Sequence, residues 1–94
     1  MKNYEGMFLL SPNLAEENLE KAISVLKDVL QKNEATIEKI ENLGKKSLTF
    51  KIKKCKESVY ILIYFAAKPS AILAIEKMLK LNESVLRIMI TVKE

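Results

Sequence analysis

The chain has no histidine, no tryptophan and a single cysteine among its 94 residues, with only two glycines and two prolines. Without histidine, the Cys/His zinc arrangements and every catalytic grouping that needs an imidazole are excluded. One cysteine cannot build a disulfide framework. A membrane helix needs about 18 consecutive apolar residues, and the sequence has no such run. The apolar stretch Met7 to Leu10 is also too short for the core of a signal peptide, so the chain reads as cytoplasmic. The length suits one modest hydrophobic core, which makes residues 1–94 a single expected domain with no room for a separate catalytic or cofactor domain. Neither a cofactor nor a bound metal is expected, and the chain does not read as an enzyme.

What is present is charge, unevenly placed. Between Asn42 and Lys56 stand six lysines, Lys45, Lys46, Lys51, Lys53, Lys54 and Lys56, and no acid. The rest of the chain carries ten basic residues against twelve acidic ones, an ordinary solvated balance. Such a concentrated cationic segment suits a polyanion. The plainer reading is that lysines on an exposed edge strand discourage edge-to-edge aggregation. Cys55 lies among these lysines, which would favour its thiolate. With no histidine as base and no second cysteine, it reads as an incidental loop residue.

Residues 3 to 10 are strand-like and stop at Ser11-Pro12-Asn13, because Pro12 has no amide hydrogen for a sheet. Asn13 and Glu16 have capping-box spacing, and Leu19, Ala22, Ile23, Leu26 and Leu30 mark one face of a helix ending near Asn33. A second extended stretch starts at Thr36, with a bend or bulge at Leu43-Gly44. Leu48, Phe50 and Ile52 then alternate with Ser47, Thr49, Lys51 and Lys53. Lys54 to Ser58 reads as a hairpin loop, and Val59 to Ala66 gives the clearest strand signal. Pro69-Ser70 opens a second helix with Ile72, Ile75, Met78 and Leu79 on its face, and Val85 to Val92 forms the last strand. The order βαββαβ is the split βαβ of the α+β ferredoxin-like class, a four-stranded antiparallel sheet with both helices on one face and the first and third strands central. That architecture by itself says nothing of activity.

Period-two alternation sorts each strand into a helix-covered and an open set. Tyr4, Gly6, Phe8 and Leu10, then Val59, Ile61, Ile63 and Phe65, then Leu86, Ile88, Ile90 and Val92 sort to the helices. Met7, Leu9, Tyr60, Leu62, Tyr64 and Met89 sort to the open face, rimmed by Glu5, Arg87 and the second strand's Thr49, Lys51 and Lys53. An apolar patch rimmed by charge is expected of a docking face. Only two residues follow Val92, too few to cover it. Tyr60 and Tyr64 with Lys51, Lys53 and Arg87 would suit a stand-alone single-stranded RNA binder. Met7, Leu9, Leu62 and Met89 favour protein, because aliphatic side chains stack poorly on bases. Tyr4 suits either core or contact. A small-molecule regulatory domain would want a Gly-rich loop, whereas Gly6 and Gly44 sit in or beside strands.

Three stretches carry a resemblance. Met-Lys-Asn-Tyr4-Glu5 with the strand that follows and Pro12-Asn13-Leu14, Ile37-Glu-Lys-Ile-Glu-Asn-Leu-Gly44-Lys45-Lys46-Ser-Leu48-Thr-Phe50-Lys-Ile52-Lys-Lys54, and Asn82-Glu-Ser-Val85-Leu-Arg87-Ile-Met89 resemble the bacterial small-subunit ribosomal protein six family. The middle stretch is the most specific, with a Gly, two basic residues, then Leu, an aromatic and Ile at alternate positions. The family usually has Ala, Tyr and Pro where this chain has Thr49, Phe50 and Lys51, prefers Arg in the basic pair, and carries a longer C-terminal tail that helps grip its partner. Lys in place of Arg keeps the charge and loses bidentate phosphate geometry. The resemblance implies a ferredoxin-like fold, no enzymatic activity, a ribosome-associated place in the platform of the small subunit, and two partners: small-subunit ribosomal RNA and ribosomal protein eighteen. Carried over by position, it implies RNA-backbone contact by Lys2, Lys45, Lys46, Lys53, Lys54 and Arg87, while the open-face set Met7, Leu9, Tyr60, Leu62, Tyr64 and Met89 would suit the protein partner.

Overall fold

A computed structural model describes residues 1–13 and 15–93. The elements run β1 (Lys2–Leu10), α1 (Glu16–Lys32), β2 (Thr36–Ile52), β3 (Cys55–Ala67), α2 (Pro69–Lys80) and β4 (Val85–Val92). The strands form one antiparallel sheet in the order β2-β3-β1-β4. This is the expected ferredoxin-like arrangement with the first and third strands central. The core lies between one sheet face and the helices, where Phe8, Leu10, Ile61, Ile63 and Phe65 meet Leu26 and Leu30 of α1 and Ile75 and Leu79 of α2. Tyr4 is core, buried and stacked on Phe65 with ring centroids 5.6 Å apart. Gly6 is required by its neighbours: a Cβ there would stand 2.6 Å from Cε2 of Phe8, whose ring folds back along the strand.

Several boundaries differ from the sequence expectation. Helix α1 takes Ala15 as its N-cap with no side-chain cap, so Asn13 stands upstream of the capping position, and the Glu16 side chain lies outside the described residues. Val29 joins the buried helix face, while Met78 is 40% exposed. The hairpin is tighter than expected. Ile52 pairs with Cys55, leaving a two-residue turn at Lys53 and Lys54 whose φ angles are 50° and 67°. Paired positive φ angles match the right-handed twist of a ribbon and ordinarily call for Asn or Gly.

The largest departure is the path of β2. Its register against β3 shifts at Ile37/Lys39, at Asn42/Gly44 and between Ser47 and Ile52. Gly44 has φ 81°, and its N–H donates to Oδ1 of Asn42 at 2.9 Å. Each bulge adds twist and resets which side a residue faces. Leu48, Phe50 and Ile52, expected beneath the helices, therefore line a groove on the open side with Leu9, Tyr60, Arg87 and Met89. The end of the β2–β3 ribbon becomes an arm laid over one end of the open face. A fourth register shift, in β4 opposite Leu9/Leu10, pairs Leu10 with Val85, which joins the core cluster, while Leu86 is buried outside that cluster beside Lys53 and Arg87.

Candidate protein and nucleic-acid interface

The open face divides into two parts. At its middle, Met7 from β1, Tyr60 and Leu62 from β3 and Met89 from β4 line a shallow groove edged by Glu5 and Thr91. The register explains the meeting: Met7 pairs with both Leu62 and Met89. These side chains are half-buried, with Met89 at 36% exposure, so the face is apolar yet reachable. Leu9 is different. It faces the same side but is 2% exposed, because the arm covers it. Cover comes from the β2–β3 arm and not from the chain end, so Leu9, expected on the partner face, is corrected to a buried residue that a partner could touch only by moving the arm.

Tyr64 sits at the far end of this face in a polar setting. It pairs with Glu5 and with Lys39, and Lys39 in turn bonds Glu41 at 2.8 Å. Burial, then hydrogen bonding to and repulsion from Glu5, hold its phenol above the ordinary value of 10.0. Hydrogen bonding and charge from Glu41 raise Lys39 above its ordinary 10.5. Lys93 Nζ lies 4.4 Å from the Tyr64 ring centroid, and Lys46 Nζ 5.8 Å from that of Tyr60. Both tyrosine faces are thus engaged by cations. The ion pair on β2 and Lys93 carried no sequence signal beyond ordinary surface charge.

The lysines gather at the other end of the sheet, on both sides of the hairpin. Lys45 and Lys46, adjacent in sequence, separate: Lys46 lies over Tyr60, while Lys45 joins Lys54 and Lys56 around a hollow with Pro12, Asn13, Cys55 and Glu57. On the other side, Lys53 donates from Nζ to the Val85 carbonyl at 3.1 Å and shares a hollow with Lys80 and Arg87. Lys80 was missed by sequence reasoning because it sits at the end of α2, far along the chain. Lys2 stands apart. It pairs with Ala67, a full length of β1, roughly 25 Å, from the hairpin end. Ser58, buried at the root of the arm, donates its hydroxyl to the Leu10 carbonyl at 2.8 Å and ties arm to sheet. Among the described residues no three of His, Cys, Asp or Glu gather as a metal site would need.

Comparison with known proteins agrees with the fold. The family model for ribosomal protein S6 matches residues 3–92. The small ribosomal subunit protein bS6 of Helicobacter acinonychis is 40% identical over 90 residues, covering 96% of this chain and 63% of that protein. Its counterpart in Campylobacter jejuni is also 40% identical over 90 residues, covering 96% of this chain and 72% of that protein. The chain therefore spans under two thirds of the length of its Helicobacter relative. The crystal structure of 30S ribosomal protein S6 from Thermotoga maritima superposes with a TM-score of 0.91 at 26% identity, covering 98% of this chain and 87% of that one. The chain belongs to the ribosomal protein S6 family, a family of ribosomal proteins and not an enzyme class.

Proposed function

We propose that the chain, as one domain over residues 1–94, is a structural constituent of the small ribosomal subunit, cytoplasmic and ribosome-associated. It binds small-subunit ribosomal RNA in the platform together with ribosomal protein eighteen and supports subunit assembly and translation. The observation that carries this reading is the segregation of two unlike surfaces: a half-exposed apolar groove of Met7, Tyr60, Leu62 and Met89, and a hairpin end crowded with lysine. The apolar groove offers a protein partner surface to remove from water, with Tyr64 at its margin. Lys45, Lys46, Lys53, Lys54 and Arg87 neutralise RNA phosphates, which positions the protein without reading sequence. Lys2 acts as a separate contact at the opposite end.

A stand-alone RNA-stacking sheet is the weaker reading, because Lys46 and Lys93 already lie over the rings such a sheet would offer to bases. The test separates the surfaces. Leu62→Glu puts a charge into the groove and is expected to abolish association with protein eighteen while leaving the isolated chain's RNA binding unchanged. Lys45→Glu with Lys54→Glu is expected to weaken RNA binding and flatten its salt dependence by about one unit of slope for each phosphate no longer neutralised. Loss of RNA binding by Leu62→Glu with protein eighteen absent would give the sheet to RNA instead.

A further inference from the structure

Of the three phenylalanines, Phe8 and Phe65 are fully buried, whereas Phe50 is 75% exposed near the tip of the arm. A ring so exposed on a 94-residue chain is set apart by what holds it and what surrounds it. Its neighbours hold it in place: Leu48 and Ile52 are half-buried beside Leu9, so the arm is seated on the sheet. Its surroundings are cationic, since Asn42 to Lys56 contains six lysines and no acid, and Arg87 lines the same groove. We propose that Phe50 is a stacking platform for an unpaired RNA base, presented on a cationic arm, with Arg87 of the same groove and Lys46 beside it over Tyr60 meeting the flanking phosphates. The charge selects nucleic acid over protein as occupant, and the flat ring selects a single strand, because bases inside a duplex have no free face to stack. This assignment rests on the proposed RNA binding and adds to it a residue whose contribution is stacking and not charge.

The test uses the full chain with protein eighteen and the platform fragment of small-subunit ribosomal RNA, titrated at two salt concentrations. Phe50→Ala and Phe50→Leu are each expected to weaken RNA binding about 5- to 100-fold with the salt slope unchanged, and Phe50→Tyr to restore it. The exposed position leaves the core intact in all three. A Phe50→Leu variant as tight as the parent would overturn stacking in favour of a merely apolar contact. An equal loss in binding to protein eighteen without RNA would overturn it in favour of protein docking. If the parent binds and Phe50→Ala binds as tightly, stacking alone falls. If the parent fails to bind RNA even with protein eighteen present, the underlying RNA-binding reading falls and stacking falls with it.

Discussion

On the helix-covered face of the sheet Phe8, Ile61, Ile63 and Phe65 are fully buried, whereas on the other face their sequence neighbours Met7, Tyr60, Leu62 and Tyr64 keep part of their surface in water. The two sets are similarly apolar, alternate along the same strands and share the same ladders. Composition therefore does not separate a core from an open face. What separates them is whether the chain itself supplies a cover. Two helices cover one face; on the other, an arm of one hairpin covers Leu9 and stops.

The comparison is broken most directly by truncating one residue from each face. Phe65→Ala should lower unfolding free energy by about 3–5 kcal/mol in urea titrations, and Leu62→Ala by no more than about 1 kcal/mol. Equal losses would erase the distinction between the covered and the open face. Gly6→Ala sharpens it from the covered side: the added methyl must displace the Phe8 ring, with Cε1 of Phe65 also 3.2 Å away, so a loss of about 1–3 kcal/mol is expected by the same assay. The arm should respond in the opposite sense. Lys54→Gly relieves a residue at φ 67° and should stabilise the fold by up to about 1 kcal/mol, read as a raised Tm, while removing one cation from the lysine-rich hairpin end. The smallest effect is at Tyr64. Because its folded pKa lies above the ordinary 10.0, its contribution to stability is present below that value and lost as pH rises through the folded one. Glu5→Gln should move Tyr64 ionisation down in an ultraviolet titration, and an unmoved curve would leave burial and the charge on Glu41 as the causes.

The element order, the central strands and the helix-covered sets of β1 and β3 were legible because period-two and period-3.6 patterns survive wherever one face packs on a core, whereas in β4 Val92, expected under the helices, is 52% exposed at the strand end. Met7, Tyr60, Leu62 and Met89 were legible for the same reason. The fates of Leu9, Leu48, Phe50 and Ile52 were not, since they depend on where bulges fall in β2. Gly44 announced one bulge; Ser47 to Ile52 gave no such mark. The charge run was plain in sequence, but its division was not. Lys45 and Lys46 part to opposite sides of the ribbon, and Lys80 joins Lys53 only through the fold.

The central claim is that two separate surfaces must be satisfied together for assembly. Its most direct test is a binding titration of the purified chain against the small-subunit RNA platform fragment, with and without ribosomal protein eighteen, at two salt concentrations. Tight, salt-sensitive binding only when protein eighteen is present is the predicted result. Equally tight binding in its absence would contradict the claim and return the open face to RNA.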